Sequence, residues 1–331
     1  MVESIRVATH LGPFSSHADR YSLRGFQPAL PVEERLRRAA QVKGLGGIEL
    51  NFRGLVDENS APSIKALLDE LGLACVSISQ NVWADGKWGL GALTHPDPAL
   101  RRDAIGILIA GMRTAKVLGS DLVSLWPAQE GFDYPFQVDY AHLTDWFVGG
   151  LRECADAVPD VRICIEYKPK EPRAHILADT AARTMWLLDK VGRENVGVLL
   201  DVGHALYAYE NVAQSAVMLM REGRLFLLHW NDNYGEWDWD MLPASVRFWE
   251  LLELAFWLRE YGYSGWNSID VSVPRGGDPV QTIQLCTNNI QRIYRLTAKL
   301  DREAILANLK CADALANLRL LSDQVFAALG V

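Results

Sequence analysis

Four apolar runs in the second half of the chain each close on one ionisable side chain. They are Arg-Ile-Cys-Ile-Glu166, Val-Leu-Leu-Asp201, Leu-Phe-Leu-Leu-His229 and Trp-Asn-Ser-Ile-Asp270. Any one of these would pass as a strand-end residue that caps the next helix. Four in succession carry a different meaning. Three carboxylates and an imidazole delivered to one rim would repel and would be costly to desolvate. A divalent cation removes that cost, and an oxygen-rich set with one nitrogen suits Mn2+, Mg2+ or Co2+ better than a thiolate-type zinc site. The pattern therefore predicts a metal site held by Glu166, Asp201, His229 and Asp270.

Further chemistry sits close by. Lys168 lies two residues after Glu166, and alternation along an extended chain turns both to one face. There it would pair with carboxylates, and it would also place a fixed charge beside a substrate oxygen that becomes negative in the transition state. His204 follows Asp201 across Val-Gly, a turn that folds it back over the mouth as a further ligand. Asp238 and Asp240, in Glu-Trp-Asp-Trp-Asp, present two carboxylates to one side, the arrangement of a second, looser cation site.

Such residues need elements that bring them to one rim. Strand-like runs at 5–9, 47–52, 74–80, 121–126, 162–167, 196–201, 225–230 and 266–271 alternate with helical patterns at 31–43, 97–118, 140–157, 180–190, 212–221, 245–261 and 280–298. Eight strand units without a long linker predict an α/β chain folded as a (β/α)8 TIM barrel over residues 1–298, with its active site at the C-terminal strand ends. A doubly wound sheet would want a Gly-rich turn after an early strand, and no G-x-G-x-x-G is present. Residues 299–331 form a C-terminal helical extension, one pattern over 301–329, whose apolar face is expected to make a homodimer or homotetramer contact. Loops at 12–30, 81–96 and 127–139 set the pocket size.

Composition narrows the function classes. The chain has 331 residues, a net charge of −8 and 49% apolar residues, enough to build a core and too acidic for a nucleic-acid binder, whose phosphate contacts need clustered Lys and Arg. No run approaches ~18 apolar residues, so no membrane span is expected. The opening Met-Val-Glu-Ser-Ile-Arg lacks the basic-then-apolar pattern of a secretory leader. Five scattered cysteines (Cys75, Cys154, Cys164, Cys286, Cys311) without a C-x-x-C pair read as reduced core thiols, and the expected compartment is cytoplasmic.

At these residues the sequence resembles the xylose isomerase-like TIM barrels, specifically sugar isomerases of the xylose and rhamnose isomerase type. The most specific piece is Ile165-Glu166-Tyr167-Lys168-Pro169-Lys170-Glu171-Pro172-Arg173, similar to the family's strand-five signature. Asp201-Val202-Gly203-His204 resembles the strand-six acidic-x-x-His, and Leu125-Trp126 with Gln129-Glu130-Gly131 resembles the strand-four turn. Asp270 through Val273-Pro274-Arg275 resembles the strand-eight end.

The resemblance implies a structural metal at Glu166, Asp201, His229 and Asp270 and a catalytic metal near His204, Asp238 and Asp240. It also implies that Lys168 meets the substrate carbonyl end and that Trp126 shields the hydride path. The expected reaction is an aldose–ketose isomerisation (an intramolecular oxidoreduction) of a small unphosphorylated sugar by metal-assisted hydride shift. Trp83, Trp126, Trp230 and Trp237 would form apolar walls that exclude water. Ketose 3-epimerases of the same superfamily share the metal set but end strand eight in Glu, where this chain has Asp270. Endonuclease IV-type enzymes want more histidines and a basic groove. A non-catalytic metal-stabilised barrel would have no need of Lys168, His204 and the Asp238/Asp240 pair. In one respect the chain departs from xylose isomerase: strand two, Ile-Glu-Leu-Asn-Phe, lacks the ring-opening histidine, so either His10 substitutes for it or the natural substrate, other than simple xylose, opens without help.

Overall fold

In the computed structural model eight parallel strands close on themselves: β1 Arg6–His10, β2 Gly47–Phe52, β3 Ala74–Gln80, β4 Leu122–Leu125, β5 Arg162–Glu166, β6 Val196–Asp201, β7 Leu225–Trp230 and β8 Trp266–Ile269. The structure describes residues 5–18 and 22–328. Four of the six opening residues in which no leader pattern was expected, part of the 12–30 loop and the last residue of the 301–329 pattern lie outside these. Strand β1 pairs with both β2 and β8, which completes the barrel.

Most boundaries follow from local chemistry. Asp97, Asp139, Thr180, Asn211 and Asp278 each accept a backbone N–H from the first turn beyond them. They thereby start α3 (Pro98–Val117), α4 (Tyr140–Ala157), α5 (Ala181–Val191), α7 (Val212–Arg221) and α9 (Pro279–Thr297). Helix α1 is Val32–Ala39, shorter than the 31–43 pattern, and α8 is Phe248–Glu260. A helix absent from the sequence reading, α2 (Ala61–Leu71), has Pro62 in its first turn and Gly72 at φ 67 as its stop. A short α6 (Val202–Tyr207) follows β6 directly.

The barrel floor is a compact plug of Ala8, Val76, Leu122, Cys164, Leu199 and Leu227. Gly47 sits against it, where a Cβ would meet Val76 Cγ2 at 2.4 Å and the Trp266 ring at 3.0 Å. The helices bury their apolar stripes on the outer strand faces. Among the cysteines, Cys75, Cys154, Cys164 and Cys286 are buried, as core thiols should be, while Cys311 is exposed.

The C-terminal extension differs from its single-helix expectation. It breaks into α10 (Arg302–Lys310) and α11 (Ala314–Ala328), because Ala312 takes φ 55 and turns the chain. Leu315 and Leu318 remain exposed on α11, and the subunit contact expected there stands as a proposal. No helix among the described residues is long and apolar enough to cross a membrane.

Candidate metal centre

Glu166 ends β5, Asp201 ends β6, His229 is the penultimate residue of β7 and Asp270 follows β8 directly. In register, His229 stands beside Asp201 on one side and Ser268 on the other. Closure of the barrel turns these side chains inward, and one ligand atom from each of Glu166, Asp201, His229 and Asp270 lies within 4.8 Å of the others. His229 Nδ1 faces Glu166 Oε1 at 3.3 Å, Asp270 Oδ2 at 3.2 Å and Asp201 Oδ2 at 3.6 Å.

The opposite ring nitrogen fixes which way the His229 ring faces. Nε2 donates to Glu49 Oε1 at 2.9 Å, and Glu49 also accepts from Ser77 Oγ at 2.5 Å and from Ser268 Oγ. An ionised carboxylate only accepts, so Nε2 carries the hydrogen and a neutral ring turns its Nδ1 lone pair to the carboxylates. That buried Nδ1 has no hydrogen-bond partner, which is the donor set a divalent cation fits. Burial disfavours a charged imidazole here, yet the Glu49 and Glu166 carboxylates carry the His229 pKa well above its usual value.

Asp201, His204 and Asp238 form a second group of ligand atoms within the same mutual distance. Asp201 Oδ1 accepts the His204 backbone N–H at 2.8 Å, capping α6 and pinning His204 one turn above it. His204 Nδ1 donates to the Tyr167 carbonyl at 2.9 Å, so Nε2 is the nitrogen turned to Asp238 Oδ2, 3.3 Å away. Burial opposes protonation of His204, and the Asp201 and Asp238 charges outweigh it, raising its pKa to about 10. Lys168, 3% exposed, donates to Asp238 Oδ2 at 2.9 Å and to Glu171, which keeps it charged beside the site. Asp240 lies outside both ligand groups. It sits at φ 46, where burial and then the Asp238, Asp270 and Asp201 charges push its carboxyl well above the usual range.

The loop carrying Asp238 is anchored by residues the sequence reading passed over. Asn231 Nδ2 donates to both Asp201 oxygens, at 2.9 and 3.1 Å, and its Oδ1 accepts from Gly203 N at 2.6 Å. Asp232 accepts from the backbone of Val246 and Arg247, and Asn233 bonds to the Gly203 carbonyl and to Gly235 N. Glu49 was the most legible omission, a lone carboxylate inside the apolar strand Gly-Ile-Glu-Leu-Asn-Phe.

Trp230 departs from its sequence expectation. Trp230 alternates with His229 and therefore points out of the barrel. It is fully buried, donates to Asn267 Oδ1 at 2.9 Å and packs on Tyr294 of α9, which removes it from the substrate wall. His10 was expected to open a cyclic sugar; its Nδ1 accepts from Gly12 N at 3.2 Å and its Nε2 pairs with Asp270 Oδ1 at 3.0 Å. The ring thus lies against Asp270 at the rim, and its part in sugar binding stands as a proposal. The remaining tryptophans lie nearer the mouth. Trp83 and Trp126 meet edge to face at 5.0 Å, Lys168 Nζ lies 5.2 Å from the Trp126 ring, and Trp237 packs on Tyr207.

A family model for the xylose isomerase-like TIM barrel matches residues 36–288, a span that holds both ligand groups. The chain belongs to the xylose isomerase-like TIM barrels. Xylose isomerase of Thermus thermophilus is 26% identical over 249 residues, 71% of this chain and 64% of that protein. A probable sugar isomerase of Mesorhizobium japonicum is 23% identical over 261 residues, 75% of this chain and 60% of that protein. The chain thus spans less than two thirds of the length of these curated relatives. The structure of an L-ribulose 3-epimerase superposes with a TM-score of 0.69 at 16% identity, covering 92% of this chain and 98% of that one. D-tagatose 3-epimerase-like and D-allulose 3-epimerase structures show the same fold.

Proposed function

We propose that this chain is a divalent-metal-dependent isomerase of a small unphosphorylated sugar, interconverting an aldose and a ketose by hydride shift between C1 and C2. The observation that carries this reading is the second ligand group, Asp201, His204 and Asp238, with a buried Lys168 bonded to Asp238. Glu166, Asp201, His229 and Asp270 would hold one cation, and His204 and Asp238, with Asp240 close by, would hold another with Asp201. Bound Mn2+, Mg2+ or Co2+ would supply electrophilic polarisation of the two adjacent substrate oxygens.

The chain's own residues do the rest. Lys168 Nζ places a fixed ammonium beside the oxygen that becomes negative, and its bonds to Glu171 and Asp238 hold it there without reorganisation. Trp83 and Trp126 wall off water from the migrating hydride. His10 and Glu49 aim Asp270 and His229 from behind.

The 3-epimerase folds favour a second reading, proton transfer at C3 of a ketose by two metal-bound carboxylates on opposite faces of the sugar. Against it, Asp270 has one oxygen on His10 and the other facing His229, which leaves it poorly placed as a mobile base. One experiment separates them. Chelator-stripped protein, resupplied with Mn2+, Mg2+ or Co2+, is incubated with free pentoses, hexoses and deoxy sugars in D2O and read by NMR. Product with little deuterium at C1 supports the hydride shift, whereas deuterium at C3 of a ketose installs the epimerase reading in its place.

A further inference from the structure

Beside the metal centre, on the same face of the barrel, lies a cavity of about 530 Å³ that the proposed reaction does not use. That is within the range of roughly 300–1,000 Å³ that encloses a small organic ligand. Its walls come from the loops after β3, β4 and β5 and from the start of α4, with Phe132 and Trp146 giving apolar surface and Gln129, Gln137, Asp133 and Arg173 giving polar edges. Glu171 lines it too, and Glu171 is the residue whose carboxylate holds Lys168. One side chain thus borders both the cavity and the reacting centre.

The walls are built to keep their shape. The buried Glu130 carboxylate accepts backbone N–H groups from Ala92, Leu93 and Thr94 at 3.1, 2.8 and 3.0 Å, together with the Thr94 hydroxyl, and so clamps the loop after β3 to the loop after β4. The segments Gly131–Phe132, Lys170–Glu171 and Ala174–Ile176 form a small antiparallel sheet outside the barrel that joins the loops after β4 and β5. Arg173 Nε donates to Asp133 Oδ2 at 2.9 Å across the same join. Three loops tied by a buried carboxylate, a sheet and an ion pair make a preformed pocket, which lowers the ordering cost of binding.

The charge of the lining selects the ligand class. Among the described lining residues Arg173 is the one cation and it is paired with Asp133, while Glu171 is paired with Lys168 and Asp139 caps α4, so a phosphate or carboxylate would find no uncommitted positive partner there. An uncharged ring with hydroxyls for the amides and an apolar face for the aromatics would need none. We propose that this cavity is a second subsite, and that it takes a neutral glycosyl ring linked to the reacting sugar, so that the substrate is a glycosylated sugar longer than a free monosaccharide.

This inference rests on the sugar-isomerising reading of the metal centre, and its test separates the two. Saturation-transfer NMR is run on the metal-free protein with methyl glycosides of the common pentoses and hexoses, probes that have no free carbonyl to react. At least one is expected to receive magnetisation from the wild-type protein and to lose most of that transfer in Leu90→Trp, which narrows the cavity, and in Phe132→Ala, which removes an aromatic face. With metal restored, both variants should lower the ratio of kcat/KM for a reducing disaccharide to that for the matching monosaccharide by about tenfold, the scale of one lost pocket contact. Absence of transfer across the whole panel, or transfer that neither variant changes, overturns the subsite. If the glycoside binds and no sugar is isomerised, the subsite stands and the reading of the metal centre falls.

Discussion

The two halves of the barrel contribute differently to the metal centre. Strands β5 to β8 supply every residue of the four-ligand group, each at or just past its C-terminal end. Strands β1 to β3 supply supports for two of those residues, His10 beside Asp270 and Glu49 with Ser77 behind His229, while Asn231, just past β7, holds Asp201. The ligand half reads as apolar runs that end in charge, because each ligand must sit where the strand leaves the packed floor. The supporting half reads as ordinary strand with one buried polar residue inside it. The difference teaches that a metal centre of this kind has two sequence signatures, and that only the first is conspicuous.

The sharpest way to break this division is to remove a ligand. Glu166→Gln or Asp270→Asn is expected to abolish cation binding, read by calorimetry with Mn2+, and activity with it. A variant that still binds Mn2+ tightly would place the centre elsewhere. Lys168→Met is expected to keep the four-ligand cation and to lower kcat by at least ~10²-fold, the scale of one lost oxyanion donor. Undiminished turnover in that variant would strip Lys168 of its assigned role.

The supporting half is tested by Glu49→Gln, which keeps the shape but not the charge behind His229. Mn2+ affinity should fall by about 10–100-fold while the ligands stay in place. Affinity equal to wild type would make Glu49 a packing residue only.

Protons report on the same comparison. In the metal-free protein His204 is raised from 6.5 to about 10, so the stability it contributes is fully present below its unfolded value and is lost as pH rises through its folded one. Urea unfolding should therefore show the metal-free protein weakening between about pH 6.5 and pH 10, and saturating Mn2+, which needs neutral imidazoles, should remove that slope. Mn2+ affinity should rise over the same window, since binding displaces those protons. A slope indifferent to metal would separate His204 from the centre. The smallest effect is expected from Trp230→Phe, which loses one buried hydrogen bond worth about 1 kcal/mol and leaves KM unchanged. A large rise in KM would return Trp230 to the substrate wall.

Several parts of this molecule were legible in one dimension. Strands β2, β3, β6 and β7 lie at the residues where short strand-like runs were expected, since an all-parallel barrel needs short apolar runs buried on both faces. The four ionisable residues that gather at the rim were legible because a charge closing an apolar strand stands out against its neighbours. Helix α2 carried its own signals in Pro62 and Gly72 and went unread between two strong strands. The extension reads as one helix because its Ala and Leu periodicity runs through Ala312, while the turn there is a backbone event that an alanine does not advertise.

The remaining features depend on closure. His229 meets Glu49 across 180 positions of chain, and Ser268 meets it across 219, distances over which no local pattern carries information. The same holds for His10, whose side chain looks free in sequence until the last strand returns Asp270 to its edge. Trp230 and His229 are neighbours in the chain and belong to opposite faces of one strand, so the pleat alone separates a core residue from a ligand. Strand ends, alternation and the spacing of Glu166, Lys168, Asp201 and His204 were determined by the sequence itself, because each is set within a few residues. Which groups stand behind those ligands, and which tryptophans face the mouth, was decided only when the first strand paired with the eighth, because a closed barrel brings the most distant residues of the chain into contact.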